Sequence, residues 1–351
     1  MNENHINPSI LIHSILKTIP ILLLSIYMGF QYFKSDNTNW NVALFITLIG
    51  LNTIFFLITH TKKVDKYRTI LFIALAVMFP LGFILRLYEL RGHFMILTFE
   101  DMLKNNTEFC LLGTTQNILP LVLKNEVFFP IEPAQVVGSI IGIFAVGLTV
   151  GSGFCSWACF WGGWEEGFSR MRKKAVIKKI NPKLRWTPFA VLVSTAFLSA
   201  FFFTSFYCFW LCPFKAVSEF VELSTSLVII QTVIFLALFI GLVIILPILT
   251  KKRTQCSFLC PFGALLSFFH KLNPFEIKIN KEKCNECKKC IGVCPVLAIS
   301  PETLPAGKTN ISCIRCAKCV DNCPQNAASY HIKGTELFVK PELKRMLFLY
   351  P

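Results

Sequence analysis

Hydrophobic and polar positions fall into two regimes along this chain. From about residue 10 to residue 250, apolar residues come in long runs separated by short polar loops; beyond that the runs stop. The runs lie at 10–33, 40–60, 69–88, 134–154, 187–207 and 224–249. Each is close to the ~20 residues that a helix needs to cross the hydrocarbon of a bilayer. They predict an all-α polytopic membrane domain of six transmembrane helices over residues 1–270. A further apolar stretch, 109–123, is too short to span and contains Gly113 and Pro120, so it reads as an interfacial or re-entrant segment. The first run lacks a charged leader and a small-residue cleavage site and is expected to stay as a helix. A small second domain follows at 271–334, with a tail at 335–351.

Composition agrees with this division. The chain has 351 residues, 54% of them hydrophobic, with mean hydropathy +0.58, far too apolar for a water-soluble protein of that length. The formal charge of +15 sits largely in loops. Basic loops facing an anionic leaflet account for it better than nucleic acid, since no basic stripe interleaves with exposed aromatics. Lys62, Lys63, Lys66 and Arg68 follow the second run. Arg170, Arg172, Lys173, Lys174, Lys178, Lys179, Lys183 and Arg185 follow the fourth, and Lys251, Lys252 and Arg253 follow the sixth. With six spans, all three groups fall on one side, which places both termini and the second domain in the cytoplasm. Residues 165–180 read as a basic amphipathic surface helix, preceded by Trp157, Trp161 and Trp164 at the level of an aromatic belt.

Cysteines change the picture most. There are 15, and eight of them repeat one frame: Cys284-x2-Cys287-x2-Cys290-x3-Cys294-Pro295 and Cys313-x2-Cys316-x2-Cys319-x3-Cys323-Pro324. In such a frame three closely spaced thiolates wrap one iron–sulfur cubane, and the fourth, carried away before the proline, ligates the other. One cubane is expected at Cys284, Cys287, Cys290 and Cys323, the other at Cys313, Cys316, Cys319 and Cys294. Ile291, Val293, Ile314 and Val320 suit a dry shell around them. Zinc needs only four ligands and a disulfide framework does not recur with this spacing. Residues 271–334 thus resemble a bacterial-type ferredoxin with two [4Fe–4S] clusters, which implies a small α+β domain.

Six more cysteines form three C-x3-C pairs at the ends of apolar runs: Cys155 and Cys159, Cys208 and Cys212, Cys256 and Cys260. On a helix, residues four apart share a face, so each pair can present two thiols to one metal, a cluster edge or a disulfide. Several membrane helices, such motifs and a two-cluster ferredoxin together resemble membrane ferredoxins of the NapH/NosR type over about 134–334. Cys256-x3-Cys260-Pro261 matches one family motif. Cys155-x3-Cys159 matches the other with Phe160 in place of its proline, and Cys208–Cys212 is additional. The resemblance implies electron exchange with the quinone pool, as in a quinol dehydrogenase subunit, or with a partner reductase. Covalent flavin is not expected, because no NosR-like flavin domain is recognisable. The topology puts Cys155, Cys159, Cys256 and Cys260 on the cytoplasmic side, with Cys208, Cys212 and the lone Cys110 outside, all as an additional redox or cluster site.

The reading is an integral membrane iron–sulfur electron-transfer protein, with lipid, quinone or quinol and redox proteins of a respiratory or maturation complex as partners, and no nucleic acid. Beside it stand a membrane thiol–disulfide reductant, an electron donor for maturation of a partner metalloenzyme and a structural subunit of a larger complex. Glu165 with Glu166, and His93 with Glu89, are candidates for quinol protons, weighed against solvated charges at helix ends.

Overall fold

A computed structural model describes residues 8–33, 38–92, 96–98, 100–101, 111–128, 132–217, 220–221, 223, 225–332 and 335–338. Three long helices open the chain: α1 (Pro8–Phe33), α2 (Thr38–Thr61) and α3 (Val64–Arg91). A two-residue strand, β1 (Ile96–Leu97), and short helices α4 (Leu111–Thr115) and α5 (Ile118–Lys124) follow. Next come α6 (Pro133–Thr149), α7 (Phe154–Trp157) and α8 (Phe160–Arg170), then α9 (Thr187–Phe202) and α10 (Phe206–Trp210). After β2 (Phe220–Val221), which pairs with β1, the sixth apolar run forms α11 (Ser226–Leu238), a π-helical stretch Phe239–Ile245 and α12 (Leu246–Thr250). Helices α13 (Thr254–Phe258) and α14 (Pro261–Ser267) precede the sheet.

The described residues support fewer spans than the six expected. Segments 44–61, 182–202 and 226–250 are long and apolar enough to cross a membrane. The pair Pro133–Thr149 and Gly151–Trp157, bent by 97°, adds a fourth if counted as one span. The runs at 10–33 and 69–88 do form helices. The charged residues of α3, Asp65, Lys66 and Arg68, precede that apolar run, and Asp65 and Arg68 turn inward to buried partners. The surface helix expected at 165–180 is also corrected: α8 ends at Arg170, and 171–181 is irregular. Arg170, Arg172, Lys173 and Lys174 would stack like charges three and four apart on one helix. The amides of Val176 and Ile177 donate instead to the carbonyl of Leu249.

Helix α8 lies hard against α3. A Cβ on Gly163 would fall 2.4 Å from the Phe72 carbonyl oxygen and 2.5 Å from the Ala76 Cβ, so only glycine permits this approach. The expected aromatic belt is interior too: Trp161 stacks on Phe214 at 4.4 Å and Trp164 meets Phe239 edge-on.

The second domain is a three-stranded antiparallel sheet, β3 (Phe275–Ile279), β4 (Ala328–Ile332) and β5 (Thr335–Phe338) in that order, enclosing two helical turns, α15 (Lys289–Val293) and α16 (Lys318–Asp321). One apolar cluster continues through both domains, from Ile58, Val64, Ile143 and Leu266 to Ile277, Ile299, Ile314 and Val320. The sheet and its two cysteine frames are therefore packed onto the preceding helices as part of one core.

Candidate iron–sulfur centres and the buried junction between them

The two cysteine frames are built alike. Glu286, Lys288 and Leu297 adopt left-handed backbone, as do Arg315, Ala317 and Asn326 at the equivalent places of the second half. Such backbone is costly for residues with a Cβ and turns the amides of each loop toward one centre. The Ala298 amide donates to Cys294 Sγ at 3.2 Å, and the Ala327 amide donates to Cys323 Sγ at 3.2 Å. One apolar cavity is lined by Cys294, Cys313, Cys316 and Cys319 with Ile277, Val296, Ile299 and Ile314. A second is lined by Cys284, Cys287, Cys290 and Cys323 with Ile279 and Leu304. Each thus takes three cysteines from one frame and the fourth from the other.

This donor set fits a cubane. Among the described residues no three Cys, His, Asp or Glu side chains converge as the ligands of a single ion do. A cubane, whose four thiolates bind separate irons, does not require that convergence. Burial pushes the thiols of Cys313, Cys316 and Cys319 up, Cys316 to about 11, so these sulfurs become thiolates only with a strong positive charge such as iron at the site. The environments differ between the two cages. Cys313, Cys316 and Cys319 are buried, while Cys287 is exposed.

The C-x3-C pairs share one geometry, which is not that of two residues on one continuous helix. The first cysteine lies in a short helical turn, α7, α10 or α13. The second has left the helix: Cys159 and Cys260 are extended, with φ −70° and −78°, and each caps the next helix. Their amides reach back five residues, to the carbonyls of Phe154 and Gln255, at 2.9 and 3.0 Å. Phe160 takes the place of Pro261 without disturbing this, because the first amide of a helix has no intrahelical partner to lose. Burial pushes Cys260 up to about 12, opposed by the amides of Gly263 and Phe262 at the start of α14.

The structure brings two of the pairs together. Cys155 Sγ lies 4.0 Å from the position of a Cβ on Gly263, beside Cys260. Cys159 and Cys260 both lie within electrostatic reach of Cys256. The third pair does not stand apart from these. Buried Tyr207 lies within electrostatic reach of Cys208, Cys212 and Cys260, and its hydroxyl accepts a hydrogen bond from Gln255 Nε2 at 3.0 Å. Gln116 Nε2 donates to Cys208 Sγ at 3.5 Å. Cys110 and His93 lie outside the described residues, as does the Glu89 side chain.

Between the membrane cysteines and the buried cage lies a charged cluster. Glu166, Arg68 and Arg253 are each 0% exposed. Glu166 accepts from Arg253 Nε at 2.9 Å, from Arg170 Nε at 2.8 Å and from Arg68 at 3.2 Å. Asp65 accepts from Arg68 at 2.9 Å and Arg170 at 2.6 Å. Burial alone would push Glu166 up, but Arg253, Arg68, Lys318 and Arg170 hold it well below the usual carboxylate range. Glu165 accepts from the amides of Gln255 and Cys256 at 2.6 and 3.0 Å, yet burial pushes it up to about 7. The solvated-charge reading of these two glutamates therefore fails.

The junction is also clamped through backbone. Ser152 Oγ donates to the Cys313 carbonyl at 2.7 Å, Ser156 Oγ to that of Ile314, and Trp157 Nε1 to that of Arg315 at 3.3 Å. The Arg253 amide donates to the Pro295 carbonyl at 2.8 Å, and Lys252 Nζ donates to the carbonyls of Ile291, Gly292 and Cys294. Ser152 and Ser156 did not stand out in the sequence, and Trp157 stood out only as part of an aromatic belt. Arg68, Lys252 and Arg253 were visible only as loop charges on the cytoplasmic side.

Comparison with known proteins agrees with this geometry. The family described as a 4Fe-4S dicluster domain matches residues 276–324. The family described as a 4Fe-4S binding domain matches three times, at 135–179, 185–227 and 232–281, so each match contains one C-x3-C pair. An uncharacterized protein of Methanocaldococcus jannaschii, MJ0750, is 27% identical over 54% of this chain and 75% of its own length. YccM of Escherichia coli, whose name assigns it provisionally to electron transport, is 28% identical over 44% of this chain and 44% of its own. A second M. jannaschii protein, MJ0749, is 27% identical over 46% of this chain and 58% of its own. The chain thus spans less than two thirds of the latter two relatives. No solved structure matches. The chain carries two kinds of 4Fe-4S ferredoxin-type domain, which imply bound iron–sulfur clusters and point to electron transport.

Proposed function

We propose that this chain is an integral membrane electron carrier, of the kind found among NapH/NosR-type ferredoxins. In this reading its ferredoxin domain delivers electrons to, or takes them from, a centre held by Cys155, Cys159, Cys256 and Cys260. The cubane at Cys284, Cys287, Cys290 and Cys323 is the solvent-side terminus, and the one at Cys294, Cys313, Cys316 and Cys319 is the membrane-side relay. Bound cubanes supply one-electron chemistry; the chain's own contribution is to bury them, donate hydrogen bonds to sulfur and fix their order. Quinone or an outer-face protein is the further partner.

The observation that carries this reading is the clamp. The turn that bears Cys155 holds the backbone of the second cysteine frame through Ser152 and Ser156, and Arg253, three residues before Cys256, holds Pro295. A ferredoxin domain merely tethered to a membrane needs no such contact between two sets of cysteines. The test is metal content and spectroscopy of anaerobically purified protein. About eight irons belong to the ferredoxin frames, and iron above that count belongs to the membrane cysteines. Single Cys→Ser changes at 155, 159, 256 and 260 should each cost nearly as much as all four, because they act as one unit. Zinc in place of iron would sink the reading. Mild, additive effects with wild-type iron would favour a thiol–disulfide reductant for the membrane domain.

A further inference from the structure

We propose that Arg253 and Arg68, held in place by Glu166, are positioning residues that set the reduction potential of the membrane-side cubane. This inference rests on the cluster reading above.

The first observation is charge. Among the described residues, Arg68, Arg170, Arg253 and Lys318 gather on Glu166 and Asp65, with Asp321 accepting from the Asp65 amide and Glu165 within electrostatic reach of Arg253. Arg68 and Arg253 are fully buried, and such cation-rich surroundings favour an anion nearby. A cubane with four thiolate ligands is such an anion, and it gains another negative charge on reduction. Cys316 lies within electrostatic reach of both Arg68 and Arg253, and Arg253 is also within reach of Cys256.

The second observation is hydrogen bonding. Arg253 Nη2 and Arg68 Nε are buried and have no hydrogen-bond partner among the protein atoms. Every other side of the two guanidinium groups is fixed. Arg253 donates from Nε to Glu166 and from Nη1 to the Cys155 carbonyl at 2.8 Å. Arg68 donates from Nη1 to the Ser156 carbonyl at 2.9 Å. Both groups also sit over the Phe72 ring, at 4.7 Å for Arg253 and 5.8 Å for Arg68. Two rigid cations with spare donors, within electrostatic reach of Cys316, stabilise extra negative charge there; Arg253 acts on Cys256 as well, and more strongly. Hydrogen bonds and net charge around the sulfurs are the means by which proteins set cluster potentials. The solvent-side cage has no counterpart to this arrangement; its Lys288 and Lys289 are exposed and screened by water.

The experiment is a potentiometric titration, followed by electron paramagnetic resonance, of the full chain purified anaerobically in detergent. The two cluster signals are assigned with Cys316→Ser and Cys287→Ser. Arg253→Gln removes a positive charge and should lower the midpoint potential of the membrane-side cubane. Glu166→Gln removes a negative charge and should raise that same potential. Arg253→Lys should stay near wild type, and the solvent-side potential should hold in all variants. A purely structural role for the network predicts loss of signal or shifts of one sign, not opposite shifts from Arg253→Gln and Glu166→Gln. Unmoved potentials, or equal shifts of both clusters, would overturn the proposal. If Arg253→Gln fails to assemble its cluster, an upward shift in Glu166→Gln still decides for it, and the lack of one decides against it. Wild-type protein without any cluster signal would instead overturn the reading on which the proposal rests.

Discussion

Glu165 gives the sharpest quantitative expectation. Its ordinary value is 4.5, and burial pushes it up to about 7 in the folded chain. The folded state thus favours the neutral carboxyl more than the unfolded state does. The resulting stability is fully present below 4.5 and is lost as pH rises through 7. At about 1.4 kcal/mol per pH unit, the interval amounts to about 3 kcal/mol, undiminished by solvent because the side chain is 0% exposed. The Cys256 side chain, Arg253 and the amides of Cys256 and Gln255 pull the other way without undoing it. The perturbation is Glu165→Gln, which cannot titrate.

The replacement leaves one of the amides of Gln255 and Cys256 without its acceptor, a cost of roughly 1–3 kcal/mol that is independent of pH. The informative quantity is therefore the slope and not the offset. Apparent melting temperatures of both proteins in detergent, from pH 5 to 8, should diverge by several degrees, with wild type losing ground to the variant as pH rises. The infrared carbonyl band of a protonated carboxyl should be present at pH 6, fade by pH 8 and be absent in the variant. Parallel melting curves and no such band would mean that Glu165 is ionised throughout, and the burial argument would be wrong.

Other expectations follow from single contacts. Gly163→Ala drives a methyl into the Phe72 carbonyl and Ala76, and should cost about 1–3 kcal/mol, read as a lower melting temperature. Ser152→Ala with Ser156→Ala leaves the buried carbonyls of Cys313 and Ile314 without donors, at roughly 1–3 kcal/mol each. Hydrogen exchange should rise at residues 313–320 and not at 284–290; equal protection in both would refute the clamp. Cys294→Ser should damage the cluster of the second frame and spare that of the first, since Cys294 lines the cavity with Cys313, Cys316 and Cys319. Loss of the other signal would refute crossed ligation.

How much of this was legible in the sequence depends on the range of the interaction. The two cysteine frames are local, so their spacing alone fixed which sulfurs can share a cage. The long apolar runs were equally plain, although the bend at Val150–Gly151 was not. Gly151 has φ +56° and packs against Asn273 and Arg315, residues far along the chain, so no local signal announces the turn. The two glutamates misled for the same reason. Beside a run of lysines they read as surface charge, and only the folding of α3 against α8 brings Arg68 across to Glu166. The pairs of cysteines suggested one helical face, yet the chain leaves the helix between them. The i+4 spacing was informative, but the conformation inferred from it was not.

The repeat within the ferredoxin domain shows what the surroundings add to a ligand frame. Both halves use the same left-handed positions and the same amide-to-sulfur bonds, so covalent ligation and local hydrogen bonding are equal. What differs is the sequence between the cysteines. The first frame carries Asn285, Glu286, Lys288 and Lys289, all exposed; the second carries Ile314, Arg315, Ala317 and Lys318, all buried. Burial alone would make the second cubane the harder one to reduce, since added negative charge is costly in a low dielectric. Arg68 and Arg253, paired with Glu166 and within electrostatic reach of Cys316, would offset that cost. The basic residues that follow the second, fourth and sixth apolar runs thus meet at this junction. Their cations reach inward because Glu166 and Asp65 hold them there.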